Sequence, residues 1–211
     1  MQQHSDQELF LRRHALPVVL AVTSILLALL GAHGSGVLRY QRDAILAGQW
    51  WRLLTGNLVH LGWPHLWLNL AGLVLVWLLF HRTLSTAAWV IVTLVSSLAV
   101  GLGLLVFDPG LSWYVGLSGT LHGLFAAGLV ASLTVKQRAE WLLVIAFIAK
   151  LTWEQLMGPT AGTAAIAGGN VIVDAHLYGA LAGALTASLW RAGAGAIAKR
   201  NCAGRPSRLQ S

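Results

Sequence analysis

The stretch YVGLSGTLHGLFAAG, Tyr114–Gly128, decides how this chain is read. It is apolar, yet its opening carries Gly116, Ser118, Gly119, His122 and Gly123, where a lipid-buried helix should begin. The surroundings are equally apolar. Of 211 residues 56% are hydrophobic and 10% charged, against roughly 25% charged in a soluble domain. The mean hydropathy is +0.69. This composition points to a membrane protein, and ten tryptophans suit interfacial belts.

The net charge of +7 comes from basic residues in loops and at the carboxyl end. That distribution suggests membrane topology rather than a nucleic-acid partner, and none is expected. The single cysteine, Cys202, cannot form an internal disulfide.

A membrane helix needs roughly 20 apolar residues. Six spans are expected: Ala15–Ala32, Pro64–Phe80, Thr86–Phe107, Ser118–Val135, Glu140–Met157 and Ile172–Ala192. Arg12 and Arg13 before the first run imitate a signal peptide. The run is rather long for one, and five more follow. The expected fold is all-α: a six-helix membrane bundle with a long first outer loop. Residues 1–12 form an amino-terminal segment, 13–193 the bundle and 194–211 a basic tail. Lys and Arg near the span ends divide ten to three in favour of the segments sharing a side with the amino terminus. By the positive-inside rule both termini are cytoplasmic.

That topology starts the second, fourth and sixth spans at the outer face. The second opens with HLGWPHLWLN, giving His60, His65 and Asn69. The fourth supplies Ser118 and His122, and the sixth, opening VDAHLYGALAG, supplies Asp174 and His176. A lone histidine near a helix end usually only caps or hydrogen-bonds, but three helices placing polar groups at one depth is a functional pattern. A serine in the first turn sits among unpaired backbone donors that can stabilise an oxyanion. Gly116 and Gly119 permit a tight turn and close approach. Alone, the same string reads equally well as a capping serine with packing glycines. Gly179 and Gly183 allow close packing of the sixth helix, bringing His176 towards Ser118 as general base. Asp174, two residues away, faces elsewhere on the helix and is a poor candidate to orient it. His65 and Asn69 share a face and suit an oxyanion hole. Lys150 and Glu154, also four apart, read either as a neutralised pair or as a candidate substrate gate. HGSG, His33–Gly36, has no such partners and reads as a loop.

On these residues the sequence resembles the rhomboid intramembrane serine proteases. WWRLLTGNLVHLGWPHLWLNL carries the family's Trp-Arg, His and His-x-x-x-Asn pattern as Trp51, Arg52, His60, His65 and Asn69; GLSG carries Ser118 and AHLYGALAG carries His176. The resemblance implies that Ser118 attacks, His176 takes its proton, and His65, Asn69 and the Ser118 backbone N–H hold the oxyanion. His122 stands where many rhomboids have a tyrosine packing on the base, and is expected to support His176. GLSGTLHG, WEQLMG and VDAHLYG resemble the rhombosortase branch. That branch implies membrane-anchored substrates whose carboxyl-terminal signal holds Gly-Gly, an apolar helix and a basic tail, in a bacterial inner membrane. It implies no cofactor and no metal, and cleavage with acyl transfer to an amine as a variant outcome. A non-catalytic client-binding protein is the competing class; a metal site built from His60, His65, His122 and His176 is a weaker one, since no H-E-x-x-H occurs.

Overall fold

The computed structural model describes residues 2–133, 138–160 and 162–203. Ten helices and two short strands occur among them, in the order α1 (Gln2–Leu29), α2 (Gly31–Leu38), β1 (Tyr40–Gln41), α3 (Arg42–Leu46), α4 (Arg52–Thr55), α5 (Trp63–Phe80), α6 (Thr86–Phe107), β2 (Trp113–Tyr114), α7 (Ser118–Ser132), α8 (Arg138–Met157), α9 (Thr163–Ala167) and α10 (Val173–Ala203).

Local sequence explains several boundaries. Pro64 lies in the first turn of α5, where its missing N–H costs nothing. Ser85 caps α6 by accepting a hydrogen bond from the Ala88 amide at 3.2 Å. Gly31, at φ +59°, separates α1 from α2, so the first helix stops short of Ala32. HGSG, read as a loop, lies within α2, where the chain makes another two helical turns after that break. The expected sixth span continues past Ala192 as far as Ala203. The expected fourth-span end at Val135 and the tail residues 204–211 lie outside the described residues.

By length and composition α5 and α6 can each cross a membrane. Both expose large apolar side chains, among them Leu78, Val74, Leu94 and Phe107, and α8 exposes Leu142 and Ile145 in the same way. Exposed apolar side chains in this number suit a membrane setting.

α7 is buried on nearly all sides, with Gly119, Thr120, Leu121, Gly123, Leu124, Ala126, Ala127, Gly128 and Leu129 all inside. Such a helix is the centre of a bundle. One core joins it to α5 through Leu66, Leu70, Leu73, Leu121 and Leu124. Its other neighbour, α10, comes closer still. Side chains added at Gly179 and Gly183 would overlap the carbonyls of Gly119 and Gly123, so two glycine ridges interlock with backbone on backbone.

The segment between α1 and α5 is tied down over the bundle end that holds Ser118. β1 pairs antiparallel with β2, Tyr40 opposite Tyr114. Buried Arg52 donates to the Gly36 and Arg39 carbonyls at 3.0 and 2.9 Å and to Gln49 at 2.7 Å. Asn57 donates to the Ser97 carbonyl at 3.2 Å and accepts from the Thr120 hydroxyl at 3.1 Å, while Ser97 and Thr120 pair at 2.9 Å. This buried network links the segment to α6 and α7.

Candidate active site

Ser118 is the first residue of α7, and no side chain caps that helix. Its hydroxyl is turned to α10, where Oγ lies 3.0 Å from His176 Nε2. Ser118 and His176 thus meet although 58 residues apart in sequence, because the glycine ridges of α7 and α10 hold the helices together just below them.

Gly116 occupies φ +129°, a conformation side-chain-bearing residues rarely adopt. Space is also limiting: a Cβ there would lie 2.7 Å from the His65 ring. The Gly116 N–H donates to the Gly56 carbonyl at 3.1 Å and its own carbonyl accepts from the Tyr114 hydroxyl at 2.7 Å. Burial pushes that phenol up to about 12, so it stays a donor. Gly119 lets the α10 backbone in, a Cβ being 2.7 Å from the Ala175 carbonyl oxygen, one residue before His176.

His65 and Asn69 lie on the α5 face that lines the same cavity. Leu61 N–H donates to His65 Nδ1 at 3.4 Å, which leaves the neutral ring's proton on Nε2. Asn69 spends one amide proton on the His65 carbonyl at 3.0 Å and keeps a second. Both remain suited to donate to a developing oxyanion. His60 packs edge-on to His65 with ring centroids 5.2 Å apart. Burial and the neighbouring His65 lower it to about 3, so it is a neutral wedge.

His122 stacks on His176 with centroids 4.0 Å apart and planes 12° from parallel. Its Nδ1 lies 2.7 Å from the Ser118 carbonyl and its Nε2 2.6 Å from Lys150 Nζ. A carbonyl only accepts, so Nδ1 is assigned the proton and Nε2 accepts from lysine.

Lys150 and Glu154 are ion-paired at 2.7 Å, as one of the two sequence readings has it. Of the two residues read as a candidate gate, Glu154 lies at the depth of the base. Its side chain is 4% exposed and its Oε2 lies 3.0 Å from His176 Nδ1, turned inwards onto the base rather than along an edge. Lys150 alone is partly open, with 40% of its side chain exposed. Asp174, set aside from the sequence, interacts with Asp108 and Gln155.

His65, Asn69, Ser118, His122, Lys150, Glu154 and His176 line a cavity of about 410 Å³ bounded by α5, α7, α8, α9 and the start of α10. Most of the wall is apolar, including Leu68, Val76, Leu121, Phe125 and Phe147, with Ser118 and His176 among the polar groups. The arrangement offers a nucleophile, a base whose far nitrogen is held by a carboxylate, and donors opposite. His122, Glu154 and His176 also have ligand atoms within 4.8 Å of one another. The Lys150 ammonium stands between two of them, at 2.6 Å from His122 and 2.7 Å from Glu154. His60, named in the alternative metal set, is not part of that cluster.

The Rhomboid domain model matches residues 47–192, a stretch that includes every residue discussed above from Arg52 to His176. Among curated proteins, "Putative rhomboid protease YdcA" of Bacillus subtilis (strain 168) is 30% identical over 142 residues, 67% of this chain and 68% of that protein.

Proposed function

The chain belongs to the rhomboid family, and on that premise we propose that it is an intramembrane serine endopeptidase with Ser118 as nucleophile and His176 as general base. The observation that carries this reading is the 3.0 Å approach of Ser118 Oγ to His176 Nε2 at one end of an apolar cavity. The family is membrane-embedded, and the apolar helices suit that setting.

In the reaction, Ser118 Oγ attacks the scissile carbonyl carbon and its proton passes to His176 Nε2. The carbonyl oxygen becomes an oxyanion, held by His65 Nε2–H, the Asn69 amide and the backbone N–H of Ser118. His176 then protonates the leaving amine as the C–N bond breaks. Water attacks the acyl-enzyme, giving up its proton to His176, and the carboxylate product leaves as Ser118 regains a proton. An amine in place of water would yield a new amide.

The finer assignment is to the rhombosortase branch, supported by GLSGTLHG, WEQLMG and VDAHLYG. Its substrates would be exported proteins tethered by a carboxyl-terminal Gly-Gly, apolar helix and basic tail. The setting would be a bacterial inner membrane, crossed by α1, α5, α6, α7, α8 and α10, with both termini cytoplasmic. Residues 13–193 would be the catalytic domain, and 1–12 and 194–211 its cytoplasmic ends.

The test is labelling of the detergent-solubilised protein by a fluorophosphonate probe. Wild type should be labelled and Ser118→Ala should not. A folded wild type that takes no label would favour the client-binding class instead.

A further inference from the structure

Five hydrogen bonds close a ring that begins and ends on Ser118. Ser118 Oγ meets His176 Nε2 at 3.0 Å, and His176 Nδ1 meets Glu154 Oε2 at 3.0 Å. The same Oε2 receives Lys150 Nζ at 2.7 Å, Lys150 meets His122 Nε2 at 2.6 Å, and His122 Nδ1 returns to the Ser118 carbonyl at 2.7 Å. The ring joins α7, α8 and α10.

Every direction in it is fixed by chemistry. The backbone carbonyl can only accept and the ammonium only donates, so His122 holds its proton on Nδ1. The carboxylate also only accepts, so His176 carries its proton on Nδ1 and leaves Nε2 as a bare lone pair facing the serine hydroxyl. A base in the opposite tautomer would be useless. We propose that Glu154 is the positioning carboxylate of a Ser118–His176–Glu154 triad, and that Lys150 holds Glu154 in place. This rests on the serine-protease reading above and goes beyond a serine–histidine pair.

Two further observations support it. Glu154 is 3% exposed, and a buried carboxylate kept without a partner would be strongly destabilising. Lys150 supplies that partner from the partly open side. When His176 accepts the serine proton it becomes an imidazolium, with its Nδ1–H directed at a carboxylate that stabilises it without itself being protonated. The stacked His122 ring, saturated on both nitrogens, prevents His176 from tilting away.

The experiment measures fluorophosphonate inactivation of the full-length protein in detergent, separating the probe's binding constant KI from the maximal rate kinact. Glu154→Gln keeps size and removes charge. Because one oxygen, Oε2, serves both Lys150 and His176 Nδ1, the amide oxygen in its place still accepts from both and keeps the tautomer, so the substitution removes only the charge that stabilises the imidazolium. It should elute as wild type, leave KI unchanged and lower kinact by about tenfold or more, the imidazolium having lost its counter-charge. Lys150→Met should lower kinact by about tenfold, the loss of one charge-assisted hydrogen bond. Because Lys150 acts through Glu154, adding it to Glu154→Gln should cost nothing more. A wild-type kinact in Glu154→Gln, with wild type labelled and Ser118→Ala silent, overturns the triad and leaves the protease intact. If wild type itself takes no label, the protease reading has failed and the triad with it. Should Glu154→Gln not fold, an undiminished kinact in Lys150→Met overturns the arrangement.

Discussion

Ser118 Oγ and His176 Nε2 are 3.0 Å apart, and in the proposed reaction, where they pass one proton, such a pair works as a unit. Alanine at either position should abolish nearly all cleavage, and the double variant should be little worse than the worst single one. Turnover of a membrane-tethered reporter checks this; losses that multiply would separate the two roles. His65 and Asn69 belong to another step. In the proposed reaction they meet the developing charge, so His65→Ala and Asn69→Ala should each lower kcat by about 10²–10³ with little change in KM. Poor binding with normal turnover would remove them from the oxyanion hole. Asn69 already gives one proton to the His65 carbonyl, so its loss should also loosen His65, making the two substitutions less than additive.

At the scale of the element, the α7–α10 seam is what sets the geometry of the proposed proton transfer. The seam has no side chains at its closest points. A Cβ on Gly179 would lie 2.7 Å from the Gly119 carbonyl carbon, and one on Gly183 2.5 Å from that of Gly123. Gly179→Ala must therefore push the helices apart, at a cost of about 1–3 kcal/mol. His176 is only three residues before Gly179 on the same helix, so fluorophosphonate labelling should fall by more than tenfold. Gly193, on α10 with nothing within 4 Å of its notional Cβ, is the control. Gly193→Ala should leave labelling unchanged and add up to about 1 kcal/mol of helix propensity. Denaturation midpoints in detergent, measured beside the labelling rates, check both variants. A silent Gly179→Ala would show that the seam tolerates more separation than its backbone packing implies.

At the scale of the whole molecule, a helix cannot be cleaved while wound, because its carbonyls are hydrogen-bonded and shielded, so the proposed substrate must unwind beside Ser118. Each glycine disfavours helix by about 1 kcal/mol relative to alanine, and its bare backbone can approach a recessed nucleophile. A Gly-Gly step just outside a substrate's apolar helix is thus easy to unwind and easy to admit. With the proposed topology, a basic tail on the cytoplasmic side would set that step at the depth of Ser118. A reporter carrying the signal should be cleaved at or within a few residues of Gly-Gly, and an Ala-Ala variant roughly tenfold or more slowly. Mass spectrometry of the new carboxyl end reads the site, and an added mass there identifies acyl transfer. Equal cleavage of both reporters would sink the substrate assignment while leaving the protease standing.

What the sequence determined by itself are the features that local chemistry encodes. Long apolar runs gave the helical segments α5 and α6 almost to the residue, since hydropathy and Pro64 act along the chain. Ser118, His176, His65 and Asn69 were legible because rare polar groups at apolar helix starts stand out, and i,i+4 spacing sets them on one face. The helical character of HGSG was not legible, because short glycine-rich helices are held by tertiary contacts rather than by propensity. Neither was the role of Glu154. Its sequence neighbour in the i,i+4 sense is Lys150, and a helix-surface pair is a complete local explanation. Only the packing of α8 against α7 and α10 decided that the same carboxylate oxygen also reaches His176, because a hydrogen bond across three helices depends on their separation and rotation, which no single segment specifies.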